Sequence, residues 1–192
     1  MEKDKIIIVG RSNVGKSSTL RLLTGKSVKI GRRPGVTLKP NLVPYKGKIL
    51  VDMPGFGFMS GIHKKKQEEI KDFIIHYIED SPDILFAIQI VDAKAFGQIA
   101  RRWEERGQIP VEIEMFDFLC ELNLDPIVVA NKIDKVKKGE REKFLDEICE
   151  FLGLGAPWRR WEAILAPFSA KNGEGLEGLK RLIGARIKEK KY

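Results

Sequence analysis

The segment Gly10-Arg11-Ser12-Asn13-Val14-Gly15-Lys16-Ser17-Ser18 has the residue types and spacing of an anion cradle. It follows the apolar run Ile6-Ile7-Ile8-Val9 and leads into Thr19-Leu20-Arg21-Leu22-Leu23, which has helical spacing. A strand that feeds a glycine-rich turn into a helix N-terminus points several backbone N–H groups at one spot, where phosphate oxygens bind. Gly10 and Gly15 allow the tight turn, Lys16 supplies a fixed positive charge, and the Ser17 hydroxyl can ligate Mg²⁺.

A second group of residues could read a base. Asn131-Lys132-Ile133-Asp134 directly follows the apolar stretch 127–130. A carboxylate at Asp134 can accept hydrogen bonds from N1–H and the exocyclic amine of guanine, a donor pair adenine lacks. Sites built on such pairing discriminate by ~10⁴–10⁵. Asn131 is expected to bond the base edge and steady the phosphate loop, and the Lys132 stem to cover the ring. Ser169-Ala170-Lys171 lies further on, with the Ala170 N–H expected at the guanine O6. Two short segments complete the set. In Asp52-Met53-Pro54-Gly55, Asp52 can reach Mg²⁺ through a water and the Gly55 N–H can contact a γ-phosphate. In Pro34-Gly35-Val36-Thr37, Thr37 can give Mg²⁺ a second hydroxyl. Together they make a γ-phosphate sensor whose loops order with triphosphate and release after hydrolysis.

These residues need a scaffold that brings distant segments to one edge. Strands are predicted at Lys5–Val9, Asn41–Tyr45, Lys48–Asp52, Ile84–Asp92, 126–131 and 163–168. Between them Ile70, Phe73, Ile74, Tyr77 and Ile78 repeat with helical period. Phe116, Leu119, Cys120 and Leu122 mark a second helix, Phe144, Leu145, Ile148, Cys149 and Leu152 a third, and Leu176, Leu179, Leu182 and Ile183 a fourth. Alternating strands and helices imply a mostly parallel sheet covered on both faces, with ligands at the C-terminal strand ends. Tyr45-Lys46-Gly47-Lys48 reads as a hairpin turn, so one edge strand is expected to be antiparallel.

The 192 residues predict a single domain, 1–192, and the composition of 43% hydrophobic and 32% charged residues is that of a soluble globular chain. No apolar stretch approaches the ~18 residues needed to cross a bilayer, and the start lacks a signal-peptide shape. A cytoplasmic protein without a membrane partner is therefore expected. Cys120 and Cys149 lie far apart and read as core thiols. Sparse glutamine, asparagine and threonine beside abundant lysine and glutamate is a pattern common in heat-adapted proteins. A net charge of +8 points to a polyanionic partner. Basic clusters occur at Arg32-Arg33, Lys64-Lys65-Lys66, Arg101-Arg102, Arg159-Arg160 and 188–191.

The motifs at 10–18, 34–37, 131–134 and 169–171, with Val-Asp-Met-Pro-Gly-Phe-Gly-Phe at 51–58, make the chain resemble the EngB family of ribosome-assembly GTPases, in the translation-factor class. The resemblance spans nearly the whole chain, and the 51–58 segment is its most family-specific part. It implies a P-loop GTPase fold with a six-stranded mixed sheet flanked by helices. It also implies GTP and GDP as ligands, Mg²⁺ held by Ser17, Thr37 and Asp52, and a role in large ribosomal subunit maturation. Lys16, Thr37 and Gly55 are the expected catalytic set. The position after Gly55 carries Phe56, which cannot hydrogen-bond the attacking water, so slow intrinsic turnover is expected, raised by a partner or by K⁺. Asn13 has the type and place of a potassium-coordinating asparagine in some related GTPases; it is equally suited to stabilising the loop. Loops 26–39 and 56–66 are expected to dock on ribosomal RNA or a large-subunit precursor, and a monomer is expected. A GTP-binding module with little hydrolysis, or a switch for a non-ribosomal partner, is the alternative. Two segments depart from the family pattern, 98–109 with Arg101, Arg102 and Trp103, and 155–161 with Trp158, Arg159, Arg160 and Trp161. Their aromatics can stack on unpaired RNA bases or pack inward.

Overall fold

In a computed structural model of the chain, residues 4–26, 39–57 and 64–190 are described. Strands β1 (Lys5–Val9), β2 (Asn41–Tyr45), β3 (Lys48–Asp52), β4 (Ile84–Asp92), β5 (Ile127–Asn131) and β6 (Leu165–Pro167) alternate with helices α1 (Lys16–Thr24), α2 (Lys64–Glu79), α3 (Phe96–Glu104), α4 (Val111–Glu121), α5 (Arg141–Phe151) and α6 (Leu176–Glu189). The strands form one sheet in the order β2-β3-β1-β4-β5-β6. Among the described residues only the β2–β3 pair is antiparallel. Its two-residue turn places Lys46 at φ 47° and Gly47 at φ 77°, the double positive φ that a tight hairpin requires.

The central strands are apolar on both sides because helices cover both faces. On one face Ile6, Ile8, Leu50, Ile88 and Phe168 pack against Leu20 and Leu23 of α1 and Leu179, Ile183 and Ile187 of α6. On the other, Ile7, Val9 and Val51 meet Ile70, Ile74 and Ile78 of α2 and Met115 and Leu119 of α4. That face continues through Val91, Val128 and Ala130 to Phe96 of α3 and Leu145 and Ile148 of α5. The four strands nearest the N-terminus have the bounds expected of them. The last two are shorter than expected, because Pro126 has no N–H to donate and a turn joining the Ile164 N–H to the Trp161 carbonyl (2.7 Å) delays β6.

One expectation about side chains changes, and two segments whose packing was open are placed. Cys149 is a core thiol, but Cys120 is exposed, since Met115, Phe116 and Leu119 already supply the buried face of α4. Much of segment 98–109 belongs to α3, which buries Phe96, Gly97 and Ala100 and pairs Arg101 with Glu147 of α5. Of the two alternatives for these rings the structure shows inward packing, with Trp158 buried and Trp161 partly buried. The Trp158 indole donates to Glu142 Oε2 (2.7 Å) and the Trp161 indole to the Gly155 carbonyl (2.9 Å). Both rings join the apolar cluster around Leu145 and Ile148. Among the described residues no helix is long and apolar enough to cross a membrane.

Candidate nucleotide site

The parallel strands deliver their C-terminal ends to one edge, and nearly every described candidate residue lies there. After β1 the chain turns through Asn13 (φ 67°) and Gly15 (φ 101°) into α1. Among the described residues no side chain caps α1, so its first-turn amides remain available to an anion. Lys16 is buried, with Nζ donating to the carbonyls of Gly10 (2.9 Å) and Arg11 (3.1 Å). Burial lowers its pKa to about 8, against the pull of Asp52. An ammonium held this way favours any ligand that restores its charge.

A pH dependence follows. Below about 8 the free Lys16 is already protonated, and a bound phosphate only strengthens that state. Above about 8 binding must also recruit a proton. Nucleotide affinity is expected to be flat below pH 8 and to fall by about tenfold per unit above it. Titration of GDP across this range checks the sign.

Asp52 ends β3 beside the loop, and Ser17 Oγ donates to its Oδ2 at 3.3 Å. Burial raises the Asp52 pKa, opposed by Lys16 and Ser17. Among the described residues its Oδ1 is buried without a hydrogen-bond partner. A hydroxyl and an under-used carboxylate oxygen suit a hard cation such as Mg²⁺, which binds through few protein oxygens plus substrate phosphates. Thr37, expected to join them, lies with Pro34, Gly35 and Val36 outside the described residues.

Beyond Asp52, Met53 and Pro54 carry the chain across the phosphate loop. The Met53 N–H bonds the Ile8 carbonyl (3.0 Å), and the Ser12 N–H bonds the Phe56 carbonyl (3.1 Å). Gly55 is pressed against the cradle. A Cβ there would lie 2.6 Å from Ser12 Oγ and 3.0 Å from Lys16 Nζ. Phe56 turns its ring into the core with Ile7, Val9 and Ile74, so it has no access to a water at the site.

At the base end Asn131 is buried and ties two loops together. Its Nδ2 donates to the Val14 carbonyl (2.6 Å), and its Oδ1 accepts the Ala170 N–H (2.9 Å). The first bond ties the end of β5 to the phosphate loop. The second engages the amide expected at a base oxygen, so Ala170 first braces Asn131. A Cβ on Gly15 would lie 2.2 Å from that same Nδ2, which bars any side chain there. Ser169 Oγ donates to Asp134 Oδ1 (2.6 Å) and is also approached by the Lys171 N–H (3.3 Å). Asn131→Ala leaves a buried carbonyl and a buried amide unpaired. It should lower unfolding free energy by about 3 kcal/mol, read from denaturant midpoints.

Asp92 was not among the candidates, yet it belongs to this corner. Its Oδ2 pairs with Lys132 Nζ (2.7 Å), while its Oδ1 accepts the N–H groups of Lys94 and Ala95, each at 3.1 Å. Lys132 itself sits at φ 64°. The available signal was an acidic residue closing β4 at the same sheet edge as Gly10 and Asn131.

Asn131 thus physically joins a phosphate cradle to an Asn-Lys-x-Asp corner 117 residues away, and this pairing on a parallel sheet defines a P-loop GTPase. A family model described as 50S ribosome-binding GTPase matches residues 5–132. The chain is 53% identical over 191 residues to a probable GTP-binding protein EngB of Methanopyrus kandleri, covering 98% of this chain and 94% of that protein. It is 46% identical over 188 residues to the Pyrococcus abyssi protein of the same description, covering 97% and 87%. A crystal structure of a probable GTP-binding protein EngB superposes with a TM-score of 0.87 at 44% identity, covering 96% of this chain and 99% of that one. The chain belongs to the EngB family of GTP-binding proteins and is a GTPase of that family.

Proposed function

We propose that the chain is a GTP-driven switch whose triphosphate form engages the large ribosomal subunit during its assembly. The observation that carries the switch is Gly55, held against Ser12 and Lys16, where the segment after Asp52 would meet a γ-phosphate. The ribosomal partner is supported by the 50S-binding description of the matching family and by the net charge of +8. In this reading the chain acts as one cytoplasmic, monomeric domain.

The residues take the following roles. Asp134 accepts the guanine N1–H and amine, Asn131 holds the base edge, and Lys132, oriented by Asp92, covers the ring. Backbone amides from residues 10–18 cradle the phosphates, with Lys16 neutralising the charge that develops between the β- and γ-groups. Ser17, Asp52 and Thr37 would hold Mg²⁺, which would supply charge neutralisation at the phosphate oxygens. Phosphoryl transfer to water is mostly positioning plus such neutralisation. The buried Phe56 ring cannot orient the water. Intrinsic hydrolysis is therefore slow, and replacing Na⁺ by K⁺ should raise it through Asn13 if that amide binds the cation. Equal rates in the two salts would assign Asn13 to loop geometry alone.

The partner is tested by co-sedimentation with large ribosomal particles over a salt series. Pelleting with a non-hydrolysable GTP analogue, weak with GDP and falling steeply with salt, is expected from counterion release. Absence of pelleting with the analogue even at low salt would overturn the ribosomal reading. Of the three lysines that open α2, Lys65 is exposed, whereas Lys66 is paired with Glu69 at 2.9 Å. The second reading, a binding module with little hydrolysis, rests on Phe56. Single-turnover hydrolysis that stays negligible with particles and K⁺ present would favour it.

A further inference from the structure

Arg11 lies in the phosphate-loop sequence, but its side chain leaves the loop. Its Nε lies 3.2 Å from Glu112 Oε1, and its Nη1 donates to Glu112 Oε2 at 3.4 Å. Such a fork fixes orientation as well as distance. Glu112 is only 4% exposed, in the first turn of α4. Burial raises its pKa and Arg11 opposes that shift. The Glu112 carbonyl is in turn fixed by Gln89 Nε2 (2.7 Å), from the fully buried middle of β4. The guanidinium therefore has no freedom to swing toward a phosphate without stranding a buried carboxylate.

The other side of that guanidinium faces the switch segment. Arg11 forms a parallel bridge with Phe56. A Cβ on Gly57 (φ 82°) would lie 3.2 Å from Arg11 Cγ and 3.3 Å from its Nε, so Gly57 rests directly on the arginine stem. The chain from Gly55 to Gly57 is thus backed by a plate that Glu112 holds in place. A buried ion pair gives little net stability compared with apolar replacements. Geometry is what this one supplies.

We propose that Glu112 is a positioning residue which, through Arg11, holds the 55–57 segment where the Gly55 N–H meets a γ-phosphate. This deepens the proposed switch and rests on that reading of Gly55. GDP lacks the γ-phosphate that Gly55 meets in this reading, so the pair matters for triphosphate and not for diphosphate. If removing the charge lowers the competent fraction of that segment to about one tenth, triphosphate affinity falls about tenfold by simple population arithmetic.

The test measures affinities of the intact chain for Mg²⁺–GDP and for Mg²⁺ with a non-hydrolysable GTP analogue. In Glu112→Gln the analogue should bind about tenfold more weakly while GDP affinity stays within about threefold of the parent. Glu112→Asp keeps the charge and should recover part of the loss, and GDP binding reports that each variant is folded. An unchanged ratio of the two affinities in both variants would overturn the proposal. A Gly55→Ala variant with parental hydrolysis and parental analogue affinity would instead remove the γ-phosphate reading, and the proposal with it.

Discussion

Asp134→Ala should lose about 10²–10⁴-fold in GTP affinity, since two hydrogen bonds to a charged acceptor disappear together. Asp134→Asn should do more than weaken binding. An amide donates where the carboxylate accepted, so it suits xanthine, which carries a carbonyl at the position of the guanine amine. Preference should therefore pass from GTP to XTP while the phosphate cradle is unchanged. Ser169 sharpens this expectation, because its 2.6 Å bond to Oδ1 fixes the rotamer of Asp134. Competition among GTP, XTP and ATP for the parent and both variants measures the effect. Guanine preference surviving in Asp134→Ala would mean that some other group reads the base.

Lys16→Met should separate stability from function. The methionine keeps the volume and apolar stem but removes an ammonium that burial holds at a pKa of about 8. Hydrolysis should fall by about 10³-fold, the usual effect of removing a preorganised charge from a transition state. The melting temperature should be no lower than the parent's, because the buried charge is costly in the empty site even with the Gly10 and Arg11 carbonyls as partners. Parallel thermal melts and single-turnover assays check the two halves. A variant that unfolds easily would show that Lys16 chiefly holds the loop together.

Most of this scaffold is legible in the chain because its signals are local. The run Ile6-Ile7-Ile8-Val9 ends at Gly10, Lys46-Gly47 marks a tight hairpin, and the i, i+3, i+4 apolar repeat marks α2. The motifs also announce which strand ends must converge. What escapes sequence reading is the partner choice of long side chains. The Arg11–Glu112 pair spans 101 residues, and nothing near either residue predicts the other. Asp92 closes a predicted strand, and nothing in the sequence around it predicts its pairing with Lys132. Trp158 and Trp161 lie among arginines, yet their indole N–H groups find Glu142 and the Gly155 carbonyl, an arrangement decided by the α5 surface and not by neighbours in sequence.

Two strand ends of one sheet, joined by Asn131, carry the whole account. A crystal structure with Mg²⁺ and a non-hydrolysable GTP analogue tests it most directly. It should show both guanine donors on the Asp134 carboxylate, with the γ-phosphate against Lys16 Nζ and the Gly55 N–H. A base bound away from Asp134, or a γ-phosphate out of reach of Gly55, would contradict it.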